Sequence, residues 1–340
     1  HKYWLNGLVI FFGLIIIRYF FLNATDRIEE VDPALAGFLG GANLPIIFSW
    51  VVGGLFAGGV AFVIGKVALG LRSDYLAIVT LGISEIVVSV LKHEEWLSRG
   101  VKNVIGLKRP VPYEINLQTS DWFINMVMWF NSSKLNQIID ADQKQEILNK
   151  LIIDSSSLFV KLNYAILFFT VMIVIYYFAN KAQISPWGRM MRAIRDNEVS
   201  ANAMGKDIVK QHLIIFVIGA AIVGVAGAML VTLDGLFTPS SYRPLRFTFI
   251  IWIMVIVGGS GNNLGAIFGG FVIWFAWIEV APLTTFLINL FTSGLDPQNA
   301  IRLHLLDSVP YFRYLLMGMV LLLILRYRPK GIIPEKVRHS

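Results

Sequence analysis

One carboxylate, Glu85, stands midway along an apolar run, Tyr75 to Leu91. A carboxyl group inside a bilayer costs at least ~2.5 kcal/mol unless it faces a wet cavity or pairs within the protein. Two chemistries follow: lining a solute pathway, or holding helices together by hydrogen bonds. A second set is basic. Arg189, Arg192 and Arg195 recur every third residue and place a cationic edge along a short helix. That edge suits lipid phosphates or a docking partner. The five histidines have no metal-ligand spacing, and cysteine is absent. Neither GxSxG nor HExxH occurs. Gly59 to Lys66 only resembles a phosphate-binding loop, lacking its spacing and its hydroxyl. The chain is therefore not expected to hydrolyse ATP itself, and an integral membrane enzyme finds no support.

The elements that must position these residues are set by composition. Of 340 residues, 56% are hydrophobic and only 15% charged, with a mean hydropathy of +0.66. Soluble domains run near a quarter charged, so too little polar surface is available to coat a soluble fold. The expectation is an all-α polytopic membrane protein of about eight spans, each needing roughly 20 apolar residues. The candidates are Trp4–Leu22, Leu44–Leu69, Tyr75–Leu91, Leu158–Ala179, Leu213–Leu233 and Tyr311–Leu325. Two more share the block Phe247–Val280, broken at Gly258-Gly259-Ser260-Gly261-Asn262-Asn263 by a tight turn or an unwound helix.

The net charge of +7 is read as topogenic, with the bilayer and not nucleic acid as its partner. Basic residues gather in the 180–210 loop and in the 326–340 tail, with Lys66 and Arg72 between two spans. Eight spans put all three on the cytoplasmic side, with both termini. A single transmembrane domain, 1–340, is expected, divided by the basic loop into halves of four spans. Residues 92–157 form a non-cytoplasmic loop. In it Leu135, Ile138, Ile139, Leu148, Leu151 and Ile152 have helical spacing and Ser133 could cap an amphipathic helix.

Ser185-Pro186 opens a helix that Gly205 closes. Met190, Met191, Ile194 and Met204 offer it adaptable apolar knobs, which favour docking of a cytoplasmic partner. Small residues form two ladders, Ala220/Gly224/Ala228 and Gly261/Gly265/Gly269, which allow close helix approach.

Several stretches resemble the permease subunits of bacterial ATP-binding-cassette importers for branched-chain amino acids, specifically their M type. They are Leu71-Arg72-Ser73-Asp74-Tyr75-Leu76 with Thr80 and Ser84-Glu85-Ile86; Glu95-Trp96-Leu97 through Gly100, Gly106 and Arg109-Pro110; Trp187 to Gly205; Val257 to Gly265; and Arg328-Pro329-Lys330-Gly331. The resemblance covers about residues 44–110 and 158–334, and leaves 111–157 as an insertion-like segment. It implies a permease that forms the pathway for branched-chain or related amino acids, in the bacterial inner membrane. The implied partners are a second related permease, two cytoplasmic ATPases that hold ATP and magnesium, and a periplasmic amino-acid-binding protein. No cofactor is expected on this chain. Trp187, Gly188, Arg189, Arg192, Ala193, Arg195, Glu198, Ala201, Ala203, Met204 and Gly205 would form the ATPase coupling helix. Thr80, Glu85, Gly258, Gly259, Gly261 and Gly265 would serve the pathway or its gating. The family has a glycine-rich segment ahead of the Leu44 span, of which only Ala36-Gly37-Phe38-Leu39-Gly40-Gly41 resembles the end. With histidine first, a truncated or atypical N-terminus is expected. The competing reading is an ion-coupled secondary transporter with Glu85 as its coupling carboxyl. Leucine, isoleucine and valine are the favoured cargo, with other amino acids, amides or urea left open.

Overall fold

The computed structural model describes residues 45–70, 73–94, 100, 103–136, 140–294, 296 and 298–335, with scattered positions between 12 and 27. The expected Trp4–Leu22 span and the Ala36–Gly41 stretch fall outside them or nearly so. So do Arg72, Ile138, Ile139, Lys336 and Arg338.

Thirteen α-helices are described: α1 Ile47–Ala68, α2 Ser73–His93, α3 Glu114–Gln118, α4 Asp121–Phe130, α5 Ser132–Leu135, α6 Ala141–Ile184, α7 Pro186–Asp196, α8 Glu198–Ala203, α9 Ile208–Asp234, α10 Pro244–Gly258, α11 Asn263–Phe291, α12 Ala300–Asp307 and α13 Val309–Tyr327. Six of them (α1, α2, α6, α9, α11 and α13) are long and apolar enough to cross a bilayer, and α10 is apolar but shorter. These seven answer seven of the eight expected spans. The protein is an all-α polytopic membrane protein.

The chain falls into two compact units, residues 1–242 and 243–340. The division comes after α9, not at the basic loop, because α9 folds back along α1. Small residues permit that approach. A Cβ on Gly54 would stand 2.7 Å from Val225 Cγ2, and one on Gly224 would stand 2.5 Å from Ala57 Cβ. Ala221, not the expected Ala220, faces α1 at Gly58. Positions 221, 224 and 228 therefore share the contact stripe.

Helix α6 corrects the expectation for the outer loop. It is one helix of 44 residues, about 66 Å at 1.5 Å per residue. Its cap is Asp140, whose carboxylate accepts from Asp142 N at 3.1 Å. Ser133 instead lies inside the four-residue α5. The amphipathic stretch and the fourth span run together because no glycine or proline interrupts residues 141–184. A bilayer's hydrocarbon core is about 30 Å thick, so the polar N-terminal part of α6 projects beyond it. Helices α3 and α4 pack on this stem, burying Leu117, Phe123 and Val127 against Ile152, Val160 and Tyr164. Gln118 donates to the buried Ser156 Oγ at 2.9 Å. The 111–157 segment is thus a helical cap on an extended stem.

In the second unit, α10, α11 and α13 enclose Ile250, Ile253, Val257, Ile273, Trp277 and Met317. The chain turns sharply between α10 and α11, as the glycine break implies.

Candidate coupling surface and membrane sites

The basic loop is built from its caps. Ser185 Oγ accepts from Gly188 N at 3.2 Å, and Pro186 occupies the first turn. Gly188 is buried, and a Cβ there would collide with the carbonyl oxygens of Ala182 and Gln183. Trp187 Nε1 donates to Gln211 at 3.0 Å, and Arg189 donates to Ile184 O at 3.1 Å. These contacts tie α7 to the ends of α6 and α9.

The single helix expected over 186–205 is two. Asn197 is extended, and its side chain accepts from Ser200 N at 2.9 Å to start α8. Gly205 closes it with φ +73°. A second correction concerns the apolar knobs. Met190, Met191 and Ile194 pack with Ala201 and Ile208, so they and Ala201 belong to the loop's own small core. The spacing 190, 194 puts them on the face opposite Arg192. Arg189, Arg192, Ala193, Arg195, Glu198, Ala203, Met204 and Gly205 are exposed, and Arg195 pairs with Asp196 at 3.1 Å. Val199 and Met204 are 81% and 80% exposed. The result is a rigidly capped platform with a mixed cationic and apolar outer surface.

Glu85 lies on α2, which buries none of its described residues. The carboxylate is exposed on the isolated chain and has no partner among the described residues. Thr80 is satisfied within the helix, donating to Leu76 O at 2.8 Å.

Gly258, Gly259, Gly261 and Gly265 are in the second unit; close backbone packing accounts for Gly258, Gly259 and Gly265, and Gly261 stands against the Glu335 side chain. A Cβ on Gly258 would strike Gly265 O, and one on Gly265 would stand 2.7 Å from Gly258 O. Gly259 and Gly261 have φ +119° and +92°. Gly261 therefore belongs to the turn and not to a helical ladder with Gly265 and Gly269. The tail closes over the turn: Ile332 N and Ile333 N donate to Val257 O and Gly258 O, both at 2.9 Å. Asn262 accepts from Leu264 N and Gly265 N to cap α11.

One cluster escaped the sequence reading. Trp277 is 5% exposed. Arg246 Cζ and Arg313 Cζ, from two different helices, lie over its ring at 5.1 and 5.7 Å from the centroid. Tyr314 packs edge-on at 5.5 Å. The Arg313 Nε atom is buried with no hydrogen-bond partner. Neither guanidinium has a carboxylate or other acceptor among the described residues. The available signal was an arginine at each edge of an apolar run; 67 positions of sequence hid their convergence. No group of residues suited to hold a metal occurs among the described residues.

Comparison with known proteins then supplies context. A family described as the permease component of branched-chain amino acid transport systems matches residues 10–325. A probable branched-chain amino acid transport permease protein LivM of Methanocaldococcus jannaschii is 31% identical over 163 residues, covering 48% of this chain and 44% of that protein. High-affinity branched-chain amino acid transport system permease proteins LivM of Escherichia coli and Salmonella typhimurium are 23% and 25% identical over 289 residues. Each alignment covers 83% of this chain and 56% of the relative. The chain thus spans about half the length of the curated relatives it matches. No solved structure matches it.

Proposed function

The chain belongs to the permease-component family of branched-chain amino acid transport systems, and from that premise we propose that it forms part of the translocation pathway of an ATP-driven amino acid importer. Branched-chain amino acids are its cargo, as the names of its relatives suggest. It works beside a second permease in the bacterial inner membrane, with both termini in the cytoplasm. Two cytoplasmic ATPases hold the ATP and magnesium, and a periplasmic binding protein delivers the amino acid.

The observation that carries this reading is the capped α7–α8 platform. It presents Arg192, Val199 and Met204 outward, while its own core holds Met190, Met191 and Ile194. An interfacial helix would turn its main apolar face into the bilayer; here that face, Met190, Met191 and Ile194, is taken up by the loop's own core, and the remaining mixed surface is offered to a protein cleft. The ATPases close on ATP and push this platform, which tilts the permeases between inward-open and outward-open states. Glu85 and Thr80 on α2 and the glycine turn serve the pathway. A carboxylate bared to lipid at mid-span would cost about 2.5–3.5 kcal/mol, so α2 turns it toward a wet pathway.

Charge reversal tests the platform. Arg192→Glu, or Gly205→Trp at the positive-φ cap, abolishes ATP-driven leucine uptake while the protein stays in the membrane at its normal level. Uptake unchanged with the platform disrupted in this way overturns the proposal.

A further inference from the structure

Arg246, Arg313 and Trp277 form an assembly that the function proposed above does not use. A guanidinium over an indole is attracted by the ring's quadrupole. That attraction is weaker than the cost of taking an arginine out of water, and here two cations share one ring. They also repel each other. The acidic residue nearest Trp277 in sequence, Glu279, is exposed and pairs with neither. Helix α10 has 15 residues, about 22 Å, and so falls short of a hydrocarbon core of about 30 Å. Arg246 is its third residue and is exposed on the isolated chain, open to a ligand. The Arg313 Nε atom is sealed by neighbours, so a ligand meets the terminal nitrogens of the guanidinium. Those present the two-pronged geometry that fits a carboxylate.

We infer that Arg246 and Arg313, held on Trp277, bind the carboxylate of the transported amino acid. The inference rests on the reading of the chain as an amino acid permease. The ring fixes the two side chains in advance, so little side-chain freedom is lost when the anion arrives. The positive pair offsets the cargo's negative end while it is away from bulk water.

The chain contains no cysteine, which allows a direct test in the complete importer. Arg246→Cys and Arg313→Cys each introduce one thiol into a sequence that has none. Each variant is expected to lose about tenfold or more of leucine uptake, with ATPase activity and membrane level retained. A water-soluble thiol reagent carrying a trimethylammonium group restores uptake by returning the positive charge; one carrying a sulfonate does not. Leucine and 4-methylpentanoate, which has the carboxylate without the amine, slow the labelling. Leucinamide, which lacks the carboxylate, leaves it unchanged.

Normal uptake in both variants overturns the inference. So does a thiol that no water-soluble reagent reaches, because the arginines then face lipid and serve a headgroup phosphate. Equal protection by leucine and leucinamide also overturns it. Failure of the unaltered importer to carry any amino acid removes the functional reading itself, and is distinguished by needing no variant.

Discussion

Thr232 is held by three helices. Its hydroxyl accepts from Trp50 Nε1 at 3.1 Å and donates to Met229 O at 2.8 Å, while its carbonyl accepts from the Tyr164 hydroxyl at 3.1 Å. Thr232→Val keeps the shape but strips Trp50 of its partner. A buried donor left unsatisfied costs about 1–3 kcal/mol. The variant is therefore expected to unfold several degrees earlier in detergent, as measured by intrinsic fluorescence. Gly224 is constrained by space and not by conformation. Gly224→Val drives side-chain atoms into Ala57 and the Gly53 carbonyl, an overpacking cost of about 1–3 kcal/mol. Its accumulation in the membrane is expected to fall, while Gly227→Val, where a Cβ meets nothing within 4 Å, accumulates normally.

At the scale of elements, local chemistry and packing divide the work. The Ser185-Pro186 start and the Gly205 stop were readable because caps are local: a hydroxyl, a fixed φ and a left-handed residue each act within a turn. The break at Asn197 was not: asparagine is a favoured N-cap, but it also occurs within helices, so its presence alone does not divide one. Only the docking of Ala201 and Ile208 under Ile194 decides it. The inward turn of Met190 and Met191 has the same origin, since periodicity gives a face but not what covers it. The split of α6 into a loop helix and a span failed for the opposite reason. Polarity changes along residues 141–184, but nothing there ends a helix. The cap built on this stem yields its own test. Phe123 is fully buried among Val160, Tyr164 and their neighbours. Phe123→Ala is expected to cost about 3–5 kcal/mol locally and to expose residues 111–136 to protease, with the spans still inserted. Asn197→Ala removes the α8 cap, worth about 1 kcal/mol, and lowers uptake more than it lowers protein level.

For the whole molecule, seven of the expected spans were legible because apolar runs of sufficient length are a composition signal. The pairing of spans was not. Which small residues meet depends on helix register, as the shift from Ala220 to Ala221 shows. The Arg246–Trp277–Arg313 convergence was also hidden, because it joins three helices that are adjacent only in the fold. Orientation is testable on the intact chain. Asn149 and Asn202 are exposed, one on the α6 stem and one on the α7–α8 platform. An impermeant thiol reagent added to whole spheroplasts is expected to label Asn149→Cys and spare Asn202→Cys until the membrane is opened. The reverse pattern would invert the proposed topology.

The uninterrupted length of α6 has a mechanical consequence. A helix without glycine or proline has no hinge at which bending can be absorbed. Its lower end is tied to α7 by the Ser185 cap and by the Arg189 hydrogen bond to Ile184 O. Its upper end carries the α3–α4 cap. The two therefore ride on one rod about 66 Å long. Pivoting it about its middle through a few degrees swings its tips in opposite directions by about 2–3 Å. A displacement of α7 at one end thus becomes a displacement of the α3–α4 cap at the other, with no intermediate joint to store or delay it.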